Sequence, residues 1–412
     1  MKGWRNLAIH EVCDVISGQS PKGSAYNVEG DGLPFYQGKK EFGKKYIRAP
    51  KQWTREVTKE AKEGDILMSV RAPVGPINFT MQRICIGRGL AAIRARETID
   101  REFLFYALLF KQSEIRGDEG AVFPSINRKQ IQAIRIPAPP IREQERIVAI
   151  LDEAFASLDT AITNTEKNLG NAQELFESYL SSVFDQSDEG WTHSSVKSLV
   201  ADEVLDKPLD GNHGEIHPKK SDFVNSGVPF LMAKDLGCGS VNQTSCYFIS
   251  KKQASELRKG FAKDGDILLS HKGTVGRCAV LKTNNPFVVL TPQLTYYRIR
   301  KKSKLFNRFL YYYFKSPRFL STLNHIAGAG STRAYIGITR QLDLPISFPT
   351  LENQKLLAGK FDELMVESRR LQVIYQKKLS SLTELKQSLL QKAFSGELAA
   401  DRAKCEVESA IA

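Results

Sequence analysis

The sequence predicts an α+β protein. Two globular α/β domains are separated by two long antiparallel helices that form an intramolecular coiled coil, and an internal pseudo-twofold repeat relates the halves. Three observations predict it. First, the chain is written twice. Gly3-Trp4 returns as Gly190-Trp191, Gly32-Leu33-Pro34-Phe35 as Gly227-Val228-Pro229-Phe230, and Gly64-Asp65-Ile66-Leu67-Met68-Ser69 as Gly265-Asp266-Ile267-Leu268-Leu269-Ser270. Phe103-Leu104-Phe105-Tyr106 answers to Phe309-Leu310-Tyr311-Tyr312, and Ser178–Phe184 to Ser388–Phe394, always in order, which marks a duplicated unit. Second, each copy contains one long proline-free stretch with apolar residues three and four apart. Third, proline clusters stand immediately before each stretch.

Residues 1–140 form the first globular domain. Ile66–Val70, Ile84–Ile86 and Leu90–Ile93 read as strands, while Phe103–Phe110 and Ile131–Ile136 read as a short helix or strand. Pro137, Pro139 and Pro140 close the domain. Residues 141–187 are the first helix. Leu151, Phe155, Leu158, Ile162, Thr165, Leu169, Ala172, Phe176, Tyr179 and Val183 make a coiled-coil seam. Such a helix is ~60 Å long, and Gly170 is its one weak position. Residues 188–350 form the second globular domain, ending at Pro345 and Pro349. Residues 351–398 are the second helix, with Phe361, Leu364, Ser368, Leu371, Tyr375, Lys378, Leu382, Leu385 and Leu389 on its seam. Residues 399–412 are expected to be a flexible tail. Two apolar stripes in one chain bury each other most simply by pairing. An antiparallel pair makes a rod that holds the globular heads a set distance apart.

At 412 residues the chain exceeds one ordinary core. Its hydrophobic content of 42% is that of a soluble globular protein. The formal charge of +13 favours a polyanionic partner, because cationic contacts to phosphate release condensed counterions. The six cysteines form no C-x-x-C pattern and read as reduced thiols, which fits a cytoplasmic location. No apolar run approaches the ~20 residues of a membrane span.

No catalytic constellation stands out. The P-loop signature is missing. Gly328-Ala329-Gly330 lacks the preceding strand of a nucleotide-binding turn. Asn285-Pro286-Phe287 is similar to the Asn-Pro-Pro-aromatic motif of amino-methyltransferases but lacks its second proline, and reads as a turn. His213 and His217 have no third or fourth metal ligand nearby in sequence, so hydrogen bonding or solvation is the better reading. Hence no catalytic residue, metal or cofactor is assigned.

Basic, glycine-containing loops with aromatics are present. After Pro34-Phe35 come Gln37, Lys39, Lys40, Lys44 and Lys45, where glycine permits close approach and lysine supplies phosphate contacts. Ser69 and Arg71 follow the first Gly-Asp-Ile-Leu; His271, Lys272 and Arg277 follow the second. A shared frame leads into loops whose polar residues differ, as two readers of different sequences require. Arginine suits guanine and Gln or Asn suits adenine in the major groove, which adds Arg88, Lys234, Gln293, Thr332 and Arg333 to His213 as candidate DNA contacts. Tyr296-Tyr297 and Tyr311-Tyr312-Tyr313 read as core.

The repeat, the Gly-Asp-Ile-Leu-x-Ser segments, the proline stops before Glu143-Gln144 and Asn353-Gln354 and the two long helices together resemble the specificity (S) subunit of type I restriction–modification enzymes, the HsdS family. The resemblance covers essentially the whole chain. It implies that each head is a target recognition domain reading one half of a bipartite, asymmetric site in double-stranded DNA. It implies that the helices pair antiparallel, set the spacing and dock two modification (methyltransferase) subunits, with Glu143, Gln144, Asn353 and Gln354 at the docking corners. Restriction subunits join that assembly in the family. S-adenosylmethionine, Mg and ATP then belong to partner subunits, and this chain is a non-catalytic member. The second head departs from the first by extra residues over Asp206–Ser226. Competing readings are an autonomous DNA methyltransferase or nuclease, and a coiled-coil adaptor that binds protein only.

Overall fold

The computed structural model describes residues 4–115, 124–185, 190–237, 239–328 and 334–398. The chain divides into two compact units. One takes residues up to 166 together with those from 376 on; the other takes 167–375. The first unit is therefore assembled from two separate stretches of sequence, whereas the second is one continuous stretch.

Each unit contains the same sheets in the same order. In the first, a four-stranded antiparallel sheet runs Cys13–Ser17, Leu90–Ala95, Ile66–Ser69, Ile77–Phe79. In the second it runs Leu209–Asp210, Leu294–Tyr297, Ile267–Ser270, Cys278–Val280. A five-stranded sheet follows in each, with one parallel pair: Phe35 opposite Cys85, and Phe230 opposite Val289. A two-stranded ribbon ties each head's first strand to its last, Arg5–Ala8 with Arg135–Ala138 and Thr192–Ser195 with Pro345–Phe348. The strand-like segments at 66, 84 and 90 are strands. Phe103–Phe110 belongs to a helix, Arg101–Lys111, capped by Asp100. Over Ile131–Ile136 a short helix gives way to a strand.

The Gly-Asp-Ile-Leu segments owe their composition to a turn and a buried carboxylate. Gly64 and Gly265 both take φ near +80°, a backbone region that glycine enters without penalty. Asp65 then accepts from the Lys62 amide (2.8 Å) and pairs with Arg94 (2.7 and 2.8 Å). Asp266 does the same with the Lys263 amide (2.7 Å) and Arg298 (2.8 and 2.9 Å). The apolar run that follows is buried on both faces, Ile66–Met68 and Ile267–Leu269 alike, as an interior strand requires.

The two long helices are α1, Ile141–Asp185, and α2, Leu351–Ser395. Both contribute to both units. In the first unit Arg146 reaches the Leu398 carbonyl (3.4 Å) and Lys386 reaches Asp159 (2.9 Å), so the two stretches run antiparallel. In the second, Ser368 donates to the Ala172 carbonyl (2.5 Å) and Tyr179 packs on Phe361, again antiparallel. Every α1 seam residue is buried or half-buried. These stripes leave water both by pairing and by packing on the heads, Phe155 against Tyr106 and Phe176 against Tyr312, at roughly 25 cal/mol per Å² of apolar surface.

The duplicated helix ends close the two cores in the same manner. Phe394 lies 5.3 Å from Phe103 in the first unit, and its repeat partner Phe184 lies 5.7 Å from Phe309 in the second. Tyr311–Tyr313 are buried as expected, as are Tyr296 and Tyr297. Gly170 sits in α1 with open space where a Cβ would project. Gly170→Ala is therefore expected to stabilise the chain by about 0.5–1 kcal/mol, measurable as a higher urea midpoint; destabilisation would contradict this environment.

Candidate nucleic-acid interface

Strand ends deliver the candidate residues to one rim of each head. In the first head the strand Leu33–Tyr36 ends at Gln37, and the turn between Ile84–Ile86 and Leu90–Ala95 carries Gly87, Arg88 and Gly89. The Gly89 amide donates to the Gln37 carbonyl (3.1 Å) and the Val70 amide donates to the Gly89 carbonyl (3.0 Å). Ser20 bridges two of these segments, donating to Gln37 Oε1 (2.9 Å) and accepting from the Arg88 amide (3.2 Å). The approach is so close that a Cβ on Gly87 would fall 2.5 Å from Gln37 Oε1. Gln37, Arg71 and Arg88 are thus brought to adjoining positions, all exposed. No ion pair engages Arg71 or Arg88 among the described residues.

The second head builds the same rim from other side chains. The Thr291 amide donates to the Leu231 carbonyl (3.0 Å), the counterpart of Gly87 to Tyr36. The His271 amide donates to the Gln293 carbonyl (3.0 Å), the counterpart of Val70 to Gly89. Sheet register places Ser17 opposite Ala91 and Asp210 opposite Thr295, so His213 occupies the position of Ser20. Lys272 takes the place of Arg71: each makes a backbone bridge to the chain beyond the second loop, Arg71 to Ser125 and Lys272 to Tyr335. His213, Lys272 and Gln293 are exposed on this rim.

His213 is held by its neighbours. Its Nε2 lies 2.6 Å from Asp210 Oδ2, and Lys259 pairs with the other carboxylate oxygen. Burial alone would raise the Asp210 carboxyl, but the bonds from Lys259 and His213 bring it below the usual carboxylate range. Lys272 lies 5.9 Å from the Tyr335 ring, and Lys234 lies 4.2 Å from the Tyr247 ring, arrangements that keep a cation at the surface with its stem packed.

Several expected contacts lie elsewhere. Ser69 is buried, and its hydroxyl donates to the Arg71 carbonyl (3.1 Å), closing the turn that presents Arg71. His271 is fully buried with Nδ1 on the Ile336 carbonyl (2.9 Å). Neither can touch a groove; both hold rim loops, because the strand register turns them inward. Lys45 is half-buried between Glu102 and Asp152 (2.9 Å each), so its charge ties the head to α1. Lys44 is exposed but also turned to α1, 3.3 Å from Thr163. Lys39 and Lys40 are exposed in the turn after Gln37. Arg277 is exposed beside the Ala233 carbonyl (3.4 Å). Thr332 and Arg333 lie outside the described residues.

Two of the four expected docking residues have another role. Gln144 and Gln354 are buried joints between head and helix. Gln144 accepts from the Asp100 amide (2.8 Å) and donates to the Pro139 carbonyl (2.8 Å). Gln354 accepts from the Phe306 amide (2.9 Å) and donates to the Pro349 (2.9 Å) and Lys304 (3.0 Å) carbonyls. A side chain with its amide spent this way has nothing left for a partner. Glu143 is paired with Arg146 (2.8 Å), while Asn353 is exposed. Sequence reading missed Ser20, Met232 and Tyr335 as rim residues; aligning Gly18 with Gly211 through the repeat would have found the first.

Two histidines give the second head a pH dependence. Burial holds the His271 and His217 imidazoles below their usual range. The unfolded chain binds a proton near pH 6.5 and the folded one resists it, so stability is full above that pH and falls as pH drops through it. Thermal unfolding at pH 7.5 and 5.5 is expected to show the second unit losing more than the first; equal losses would contradict the burial of these rings.

A family model for the type I restriction modification DNA specificity domain matches residues 1–169 and 202–375, once over each half of the repeat. Three relatives from Methanocaldococcus jannaschii frame the match. The MjaX specificity subunit is 47% identical over 135 residues, or 32% of each chain. The type I restriction enzyme MjaVIII specificity subunit is 26% identical over 290 residues, covering 66% of this chain and 65% of that one. Thus the matched part is about a third of the first relative's length and just under two thirds of the second's. The MjaIX specificity subunit is 23% identical over 433 residues, covering 96% of this chain and 94% of its own. A solved structure described as the basis of complex assembly and conformational transition of the type I R-M system has the same fold, with a TM-score of 0.75 at 21% identity, covering 97% of this chain and 99% of that one. With the family model matched twice, on two heads of one topology, the chain belongs to the type I restriction modification DNA specificity domain family.

Proposed function

We propose that this chain is the DNA-reading subunit of a type I restriction–modification complex. Each head's rim meets one half of a bipartite duplex site, and the paired helices carry the heads and dock methyltransferase subunits. The observation that supports this best is one backbone rim built twice with unlike side chains: Ser20, Gln37, Arg71 and Arg88 in one head, and His213, Met232, Lys272 and Gln293 in the other. An identical frame keeps the approach to DNA the same, while the substituted side chains change the base preferred. Chemistry on the DNA then falls to partner subunits that bind S-adenosylmethionine, ATP and Mg.

The test is binding to duplex with the assembled complex. Arg88→Ala is expected to cost about 1–3 kcal/mol of discrimination at one position of one half-site and to leave the other unchanged. Affinity should fall steeply with salt. Uniform weakening over both half-sites would count against the modular reading. Methyl transfer from labelled S-adenosylmethionine to DNA by the chain alone would overturn the assignment of chemistry to partners.

A further inference from the structure

A cavity of ≈ 980 Å³ opens in the second unit, between the Lys251–Glu256 helix, the Asn285–Phe287 turn and the ends of the sheet strands. Its walls are aromatic. Phe261 and Phe287 meet edge to face at 5.1 Å, and Tyr296 carries the Arg298 guanidinium 4.6 Å from its ring. Its charge is of one sign: Lys251, Lys263 and Arg298 line it, and no carboxylate does. Asp266 fixes Arg298 from behind, whereas Lys251 and Lys263 have no ion pair among the described residues. Asn285 spends its amide nitrogen on Thr283 (3.3 Å) at the mouth. Flat aromatic walls beside unpaired cations fit a planar aromatic group bearing an anion, and the volume is that of a small-molecule pocket.

Its place in the fold separates it from the rim. The strand Val228–Leu231 has its cavity end at Val228 and its rim end before Met232. The strand Leu294–Tyr297 likewise has Gln293 at one end and Tyr296 and Arg298 at the other. At ~3.3 Å per residue, some 10 Å of sheet lies between them. The first head has no counterpart of the helix that forms one wall: residues 55–59 join its strands where residues 250–260 do so here.

We propose that this cavity binds a free nucleoside phosphate, its base stacked on Phe287 and its phosphate on Lys251 and Lys263. The helix that walls the pocket belongs to the second head, and the pocket is independent of the DNA rim. Calorimetric titration of the full chain with adenosine monophosphate is expected to give a Kd of order 10–100 µM. Adenosine alone and inorganic phosphate alone should each bind at least about tenfold more weakly, since each satisfies one half of the site. Lys251→Glu, an exposed change that leaves the core intact, should weaken binding about fivefold or more; Phe287→Ala should do so with thermal unfolding as its control. Duplex DNA should not compete. Absence of saturable binding near 2 mM nucleotide, wild-type affinity in Lys251→Glu, or displacement by duplex DNA would each overturn the proposal.

Discussion

Ending the chain at Tyr375 is expected to unfold the N-terminal head, although the cut falls near the other end of the sequence. Leu382, Leu389, Leu390, Phe394 and Leu398 all lie buried in the core that contains Phe103, Leu151, Phe155 and Leu158. At about 1.5–3 kcal/mol for each large side chain, their removal costs on the order of 10 kcal/mol, comparable to the whole stability of a domain. Hydrogen exchange localises the effect. Amides of Ile66–Ser69 and Leu90–Ala95 should lose protection, while those of Ile267–Ser270 keep theirs. Retained protection in the first head would contradict the shared core. A milder version is Phe394→Ala, which removes the ring stacked on Phe110 (5.2 Å) and is expected to cost about 3–5 kcal/mol.

The second large effect is at the head-to-helix joints. Gln354→Ala should destabilise the second unit by about 3–5 kcal/mol, because it strands the Phe306 amide and the carbonyls of Lys304 and Pro349 in a buried site. Gln144→Ala should do the same to the first unit through the Asp100 amide and the Pro139 carbonyl. The neighbour Asn353 is exposed, so Asn353→Ala should stay within about 0.5 kcal/mol. Chemical denaturation with a unit-specific probe reads all three. Gln354→Met separates the causes: it keeps the volume and loses the hydrogen bonds, so near-wild-type stability would show that the amide contributes little.

The joints also show where sequence reading stops. Gln144 and Gln354 stand out in sequence because they recur after proline at a helix start, and that much is legible. Their partners, the backbone amides of Asp100 and Phe306, are distant in sequence and carry no side-chain signal, so a buried joint and a docking corner look alike. Lys45 fails for a related reason. It sits in a lysine-rich loop, and only the fold reveals that Glu102 and Asp152 flank it. Ser69 and His271 depend on which way a strand end turns, a one-residue matter of register. By contrast the Gly-Asp-Ile-Leu strands, the seam of α1 and the aromatic runs at Phe103 and Phe309 were readable, because periodicity and burial there follow from local spacing. The rim was partly readable for the same reason. Gln37, Arg71, Arg88, Lys272 and Gln293 lie where a repeated strand frame ends, whereas Ser20 and Tyr335 join it through tertiary hydrogen bonds and backbone bridges.

The repeat keeps one chain path beneath two unlike rims. Backbone contacts such as Gly89 to Gln37 and His271 to Gln293 recur, so the chain path is fixed while Arg71 becomes Lys272 and Ser20 becomes His213. That two unlike rims read two half-sites independently is tested most directly by the adenine-methylation motif written by the assembled complex, compared between the wild-type chain and one carrying Arg71→Ala with Arg88→Ala. The account predicts that bases in one half of a bipartite motif become permissive while the other half and the spacer stay fixed. Relaxation of both halves together, or a change confined to the opposite half, would contradict it.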